Sequence, residues 1–255
     1  MVDYLTTAAK KRDEESPMLP FFDPPQLLPG GFHFPSRMTV LPLTGRALAL
    51  VSPIPVNQDI AGKVAAMGEV AFLIAPNLLH HLYLADALAF WPRASVLAPG
   101  ALRKKRPDLR IDRALDEGLP AAFAGSVRAL RIDGGPKVDE FVFFHEGTRT
   151  LVVSDLVFNV TKPRGLVANV ALRVVGCHGR LAQSRMWRFL VRDRAAAAAS
   201  VRALLATHPE SLIMAHGDVI ESGACERLEQ ALAWMSAGDA HRGDQEQVAP
   251  HDRGH

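Results

Sequence analysis

What most constrains this chain is an alternation, repeated once, of short apolar runs of strand length with helical stretches. Residues 37–43 (RMTVLPL) and 46–51 (RALALV) read as two strands joined by a turn at Thr44-Gly45. In 57–67, Ile60, Val64 and Met67 form one helical stripe, and 70–75 (VAFLIA) follows as a strand. Residues 79–91 are helical again, and 94–98 form a short buried strand. The second half opens with strands at 126–132, 140–144 and 150–154, the last two joined by Glu146-Gly147-Thr148. Helices are predicted at 166–175, 184–191 and 194–205, the last carrying the helix-favouring alanine run 195–199. A strand at 211–215 and a helix at 224–235 close the pattern. Strands then helices, twice over, predict an α/β sandwich with helices on its outer faces. The halves interlock, which favours one domain over two.

Length and charge then limit what such a sandwich can do. A chain of 255 residues can bury roughly 70–75% of the surface it exposes when unfolded. Lys and Arg total 29 against 27 Asp and Glu, a formal net charge of +2. That balance provides no global field for nucleic acid. The apolar runs stop well short of the ~20 residues a membrane span needs. A small-molecule substrate remains the expected partner. The first 17 residues carry Lys10, Lys11, Arg12, Asp13, Glu14 and Glu15 and lack the apolar core of a secretory signal. Cys177 and Cys225 are too few for a disulfide framework, so a reduced cytoplasmic setting is expected. Prolines 17, 20, 24, 25 and 29 predict a flexible arm over 1–30; a single domain then spans 31–237, and a polar tail runs over 238–255.

Candidate chemistry sits at strand ends. His80-His81 follows the strand ending at Ala75, Asp155 follows Ser154, and His216 follows Ala215. Loops there can present all of them to a common cleft. Imidazole nitrogen with carboxylate oxygen suits a divalent transition metal. The same residues also suit plain hydrogen bonding, with histidines on backbone groups and Asp155 capping a turn. Both readings stay open on residue chemistry alone. No P-loop, dinucleotide fingerprint or nucleophile elbow occurs. Cys177 reads as a buried small residue.

The segments APNLLHH (75–81), VVSDLVF (152–158) and IMAHGD (213–218), in that order, resemble the metallo-β-lactamase-like hydrolase superfamily. There the corresponding motifs read Thr-His-x-His-x-Asp-His, Gly-Asp-x-x-Phe and Gly-His-Gly. The resemblance covers about residues 37–236. PNLLHH together with LRKKRPDL (102–109), SDLVFN (154–159) and AHGDVIE (215–221) is similar to a bacterial family of unassigned function within it. It implies an αββα sandwich of the metallo-β-lactamase type. It also implies a degenerate active site. The two histidines of the superfamily's first metal site fall on Pro76 and Leu78, which cannot ligate. Its aspartate falls on His80 and the following histidine on His81. Asp133-Gly134-Gly135 stands where a mid-chain histidine is expected, while Asp155 and His216 match the bridging aspartate and final histidine.

What survives, by that resemblance, is one site: His81, Asp155 and His216 as ligands, with His80 a fourth ligand or a base. Such a set suits one Zn, Mn or Fe ion and the hydrolysis of an ester-like or acyl substrate, with His80 and Asp155 as the catalytic pair. The alternative is a metal-free binding or scaffold protein on the same fold. Nearby, Arg103-Lys104-Lys105-Arg106 is predicted to begin a short helix. It reads either as a solvated basic face relieved by Asp108 and Asp112 or as a substrate clamp. In the second reading Lys105 and Arg106 hold an anionic carboxylate or phosphate group.

Overall fold

Strands whose residues are apolar on both faces need cover on both sides, and two sheets stacked between helices provide it. The computed structural model describes residues 18–23, 25–28, 32–163 and 165–236. Its first half runs β1 (Phe21–Phe22), β2 (Pro25–Leu28), β3 (Phe32–Pro35), β4 (Met38–Pro42), β5 (Ala47–Val51) and α1 (Gln58–Met67). It continues through β6 (Glu69–Ile74), α2 (Leu84–Phe90), β7 (Ser95–Ala98), α3 (Leu102–Lys105) and β8 (Arg113–Ala114). The second half holds β9 (Val127–Ile132), β10 (Glu140–His145), β11 (Thr150–Val153) and α4 (Leu166–Val175). It ends with α5 (Arg185–Leu190), α6 (Arg194–Leu205), β12 (Ser211–Met214) and α7 (Ala224–Ser236).

One sheet has the order β1-β4-β5-β6-β7-β8 and the other β12-β11-β10-β9, while β2 and β3 form a separate hairpin. In the first sheet β5 through β8 are parallel, and in the second β11 and β12 are parallel. Side-chain alternation divides each strand between two cores. Ala49, Val51, Ile74 and Leu97 meet Phe141, Phe143, Val152 and Ile213 in the layer between the sheets. Leu48, Leu50, Leu73 and Val96 turn outward onto α1, α2 and α3. Val142, Phe144, Leu151 and Leu212 turn the other way, onto α5, α6 and α7. The αββα sandwich is thus the observed fold.

Local chemistry fixes several helix starts. The side chains of Asn57, Ser184 and Asp193 accept hydrogen bonds from the backbone N–H groups of Ile60, Trp187 and Ala196; such caps contribute about 1 kcal/mol each. Several features depart from the sequence reading, among them strands at Pro25–Leu28 and Arg113–Ala114. Phe21–Phe22, within the stretch read as an arm, pairs with β4 as an edge strand, where neighbouring prolines do no harm. The helix predicted from 79 begins only at Leu84, because residues 77–83 form an irregular turn. The tail read over 238–255 lies outside the described residues.

Candidate metal centre

Strand register sets the site. In the parallel pair β11–β12, Val153 lies opposite Met214, so Asp155 and His216, each two residues on, emerge level. In the parallel pair β5–β6, Val51 lies opposite Ile74, so Ser52 emerges beside the turn that carries the histidine pair. The two sheets thereby deliver His80, Asp155 and His216 to one edge of the sandwich, with ligand atoms all within 4.8 Å of one another. Their side chains are 7–10% exposed, so the cluster is nearly dry but reachable.

The two histidine–carboxylate separations suit a shared ion, while the two imidazole nitrogens stand closer together than tetrahedral ligands do. His80 Nε2 and His216 Nε2 stand 3.0 Å apart, and each is 3.4 Å from an oxygen of Asp155. Donors placed ~2.0–2.1 Å from a tetrahedral centre lie about 3.3–3.4 Å from one another. Two neutral imidazoles and a carboxylate are also the donor types that divalent zinc, manganese and iron accept.

A shell of fixed groups aims these three. Asn77, fully buried, donates from Nδ2 to Asp155 Oδ2 at 2.8 Å, while its Oδ1 accepts from the N–H groups of Leu79 (2.8 Å) and His80 (2.7 Å). Ser52 Oγ lies 2.5 Å from His80 Nδ1, which leaves Nε2 facing the centre. Phe158 stacks on the His216 ring at 4.9 Å. Glu140, fully buried at the start of β10, accepts on Oε1 from the N–H groups of Ser154 (2.8 Å), Asp155 (3.1 Å) and Leu156 (3.1 Å). It therefore moulds the loop that carries Asp155. Gly217 closes the far side: at φ +105° a Cβ there would sit 2.3 Å from the Asn159 carbonyl oxygen, so only glycine fits.

Electrostatics follow from burial and pairing. Burial works against ionisation of Asp155, but the His80 charge and hydrogen bonds from both histidines outweigh it and hold the carboxyl well below the usual carboxylate range. Burial also disfavours the His80 cation, yet Asp155 overcomes it and raises the imidazole pKa. Glu140 goes the opposite way: burial, then the charge of Asp155, push it up to about 7. The pair of carboxylates is split, one firmly ionised and one close to neutrality.

Not every residue anticipated at the site is there. His81 points away from the cluster; its Nδ1 lies 3.1 Å from the guanidinium of Arg106. Although the helix starts only at Leu84, consecutive side chains in the preceding turn still diverge, and His80 takes the inward position. Burial and the cations of Lys105 and Arg106 lower the His81 pKa, so its ring is a neutral acceptor. Lys105 donates to the Leu78 carbonyl oxygen, and Arg106 also pairs with Asp108 at 2.7 Å. The basic run thus lies against the histidine turn. Pro76 and Leu78 serve structure: the Pro76 carbonyl accepts from Phe141 N–H, and Leu78 is buried in the outer core of the first sheet. Cys177 is buried, and burial pushes its thiol up to about 11, as suits an inert residue. Asn77, Ser52 and Glu140 were not anticipated. An Asn directly after Pro76, at the mouth of a turn, was the one available signal.

No protein-family model matches the chain, and no curated protein does. Solved structures do. The metallo-β-lactamase FIM-1 from Pseudomonas aeruginosa, in its mono-zinc form, superposes with a TM-score of 0.57 at 12% identity, over 86% of this chain and 92% of its own. A metallo-β-lactamase from Hirschia baltica gives 0.55 at 13%, over 86% and 93%. The metal-soaked Flv1 flavodiiron core from Synechocystis sp. PCC6803 gives 0.58 at 13%, over 87% of this chain and 59% of that one. The chain has the metallo-β-lactamase fold. Fold alone does not fix a reaction.

Proposed function

We propose that this chain is a hydrolase that holds one divalent metal ion, acts on an ester-like or acyl substrate, and lacks the first metal site of the superfamily it resembles. The observation that carries the reading is the convergence of His80, Asp155 and His216 at ligand spacing; the resemblance adds that Pro76 and Leu78 stand where the superfamily has histidines. An ion held there supplies Lewis-acid polarisation of a carbonyl and a water of lowered pKa.

The chain's own groups do the rest. With its proton on Nδ1 toward Ser52, His80 directs the Nε2 lone pair inward. Asn77 holds one oxygen of Asp155 and leaves the other toward His216. Where it is not a ligand, His80 is the group able to take a proton, and the ionised Asp155 balances the charge that results. On this reading Lys105 and Arg106 receive an anionic end of the substrate; their contacts with Leu78 and His81, on the turn that carries His80, support it.

A second reading has its own support. His80 Nε2 and His216 Nε2, 3.0 Å apart, make a good hydrogen bond if one is protonated, and Asp155 neutralises that charge. This network satisfies the cluster without an ion and suits a metal-free binding or scaffold protein.

Metal content separates the two. Tag-free protein is grown with added zinc, manganese and iron, beside His216→Ala. Near-stoichiometric metal in the wild type, lost in the variant, supports the hydrolase. Metal in neither protein establishes the metal-free reading.

A further inference from the structure

We propose that the face formed by α4 and α5 docks onto an anionic membrane surface. The inference is independent of the chemistry at the metal centre. It starts from charge that the whole-chain balance conceals. Residues 162–194 carry eight Lys and Arg against a single Asp, in a chain whose totals are 29 and 27. That stretch alone exceeds the chain's net charge of +2.

Pairing makes the contrast sharper. Elsewhere Arg37, Arg103, Arg106, Arg128, Arg131 and Arg149 each meet a carboxylate. Arg173, Arg180, Arg185, Arg188, Arg192 and Arg194 are all exposed, and among the described residues none of them has a carboxylate partner. Arg188 and Arg194 rest on the Trp234 ring, and Arg185 donates to the Val174 carbonyl oxygen, which ties the two helices together.

The same two helices carry apolar side chains that stand largely exposed among the described residues. Val167 (65% exposed), Val170 (52%) and Val174 (65%) form one stripe of α4, opposite the buried Leu172. Met186 (52%) and Phe189 (86%) form a second stripe on α5. Exposed aliphatic and aromatic side chains framed by arginines match the two layers of a bilayer interface: acyl chains for the first, anionic headgroups for the second. The valines favour a membrane over nucleic acid, because aliphatic groups offer nothing to stack on a base. Among the described residues no helix is long and apolar enough to cross a membrane, so contact is peripheral. Leu172 of α4 packs in one cluster with Phe158, whose ring stacks on His216. The α4 helix is therefore one side-chain layer from the cluster of His80, Asp155 and His216.

Cosedimentation of the full chain with vesicles tests this. Vesicles of phosphatidylcholine with phosphatidylserine should pull the protein down at low salt, and vesicles of phosphatidylcholine alone should not. Charge reversal in Arg180→Glu/Arg192→Glu should weaken binding at least about tenfold. Val170→Ser/Phe189→Ser should weaken it several-fold. All four positions are exposed, so the variants should keep the wild-type circular dichroism and melting profile. No binding to the anionic vesicles at low salt overturns the proposal, as does binding that both double variants leave unchanged. Retention of a short duplex or single-stranded oligonucleotide in a gel, without vesicle binding, overturns it in favour of nucleic acid.

Discussion

Asn77 reaches from the turn after β6 in one sheet to Asp155 after β11 in the other, with 2.8 Å between amide nitrogen and carboxylate oxygen. One side chain thus joins the two halves of the molecule at the point where the chemistry is proposed. It shapes the His80 turn through Oδ1 and orients Asp155 through Nδ2.

Removing that residue should damage both jobs. Asn77→Ala leaves the N–H groups of Leu79 and His80 without their acceptor and Asp155 without a donor, which should cost about 2–4 kcal/mol. Asn77→Asp keeps the acceptor but puts a second carboxyl against Asp155. Its pKa will be raised in the folded state, so the folded protein binds more protons than the unfolded one and stability falls as pH rises through that pKa. Urea melts at pH 5 and pH 8 would check this; equal losses at both pH values would show that the new carboxyl is not raised by Asp155.

Glu140 gives a pH signature in the wild type. Its carboxyl titrates at about 7 in the folded protein, against an ordinary 4.5. A raised carboxyl pKa means the folded state holds the extra proton between those values, so stability declines from pH 4.5 to about 7 and then levels. Glu140→Gln keeps an acceptor for the three N–H groups and removes the charge. It should flatten that decline and be the more stable protein at pH 8, by an amount on the order of 1–3 kcal/mol. Glu140→Ala should be strongly destabilised at every pH, because three buried N–H groups lose their partner.

The strands were legible because burial on both faces leaves runs such as VAFLIA and FVFF with no other reading, and the strand-end rule pointed to His80, Asp155 and His216. Which of two adjacent histidines turns inward was not legible, since backbone angles within a turn decide it. The burial of Glu140 was hidden too: a Glu opening an apolar strand looks like a polar boundary, and only the loop after β11, laid beside it, supplies the N–H groups it serves. The edge strand Phe21–Phe22 and the pair Arg113–Ala114 are two residues each, below what periodicity can detect. The cationic stretch 162–194 was visible in the letters but averaged away in the net charge.

The basic run makes a separable prediction. Lys105 and Arg106 bond to Leu78 and His81 on the turn that carries His80. Lys105→Ala/Arg106→Ala should weaken binding of inorganic phosphate or acetate several-fold at low salt, an effect that salt then erases. Arg106 also pairs with Asp108 at the surface, where ion pairs contribute little, so the melting temperature should stay nearly unchanged. A large drop in melting temperature with unaltered anion binding would assign the run to holding the turn.

The contact between Ser52 and His80 leads to the last prediction. Ser52 follows β5 at φ +59°, a left-handed conformation that costs a non-glycine residue roughly 1 kcal/mol or more. In return its hydroxyl fixes His80 Nδ1 at 2.5 Å. Ser52→Ala keeps the strain and loses the hydroxyl, so zinc affinity should fall about 10–100-fold, as for other groups that orient a ligand histidine. Ser52→Gly loses the hydroxyl and relieves the strain; it should share the affinity loss yet melt higher than Ser52→Ala. Competition against a chromophoric chelator reads the affinity of all three proteins. The His80 pKa is raised above 6.5, and its proton must leave before Nε2 can ligate. Zinc binding should therefore release a proton and weaken as pH falls below that raised value, which calorimetry in buffers of different ionisation enthalpy would report. Equal zinc affinity in wild type, Ser52→Ala and Ser52→Gly would show that the hydroxyl does not position His80.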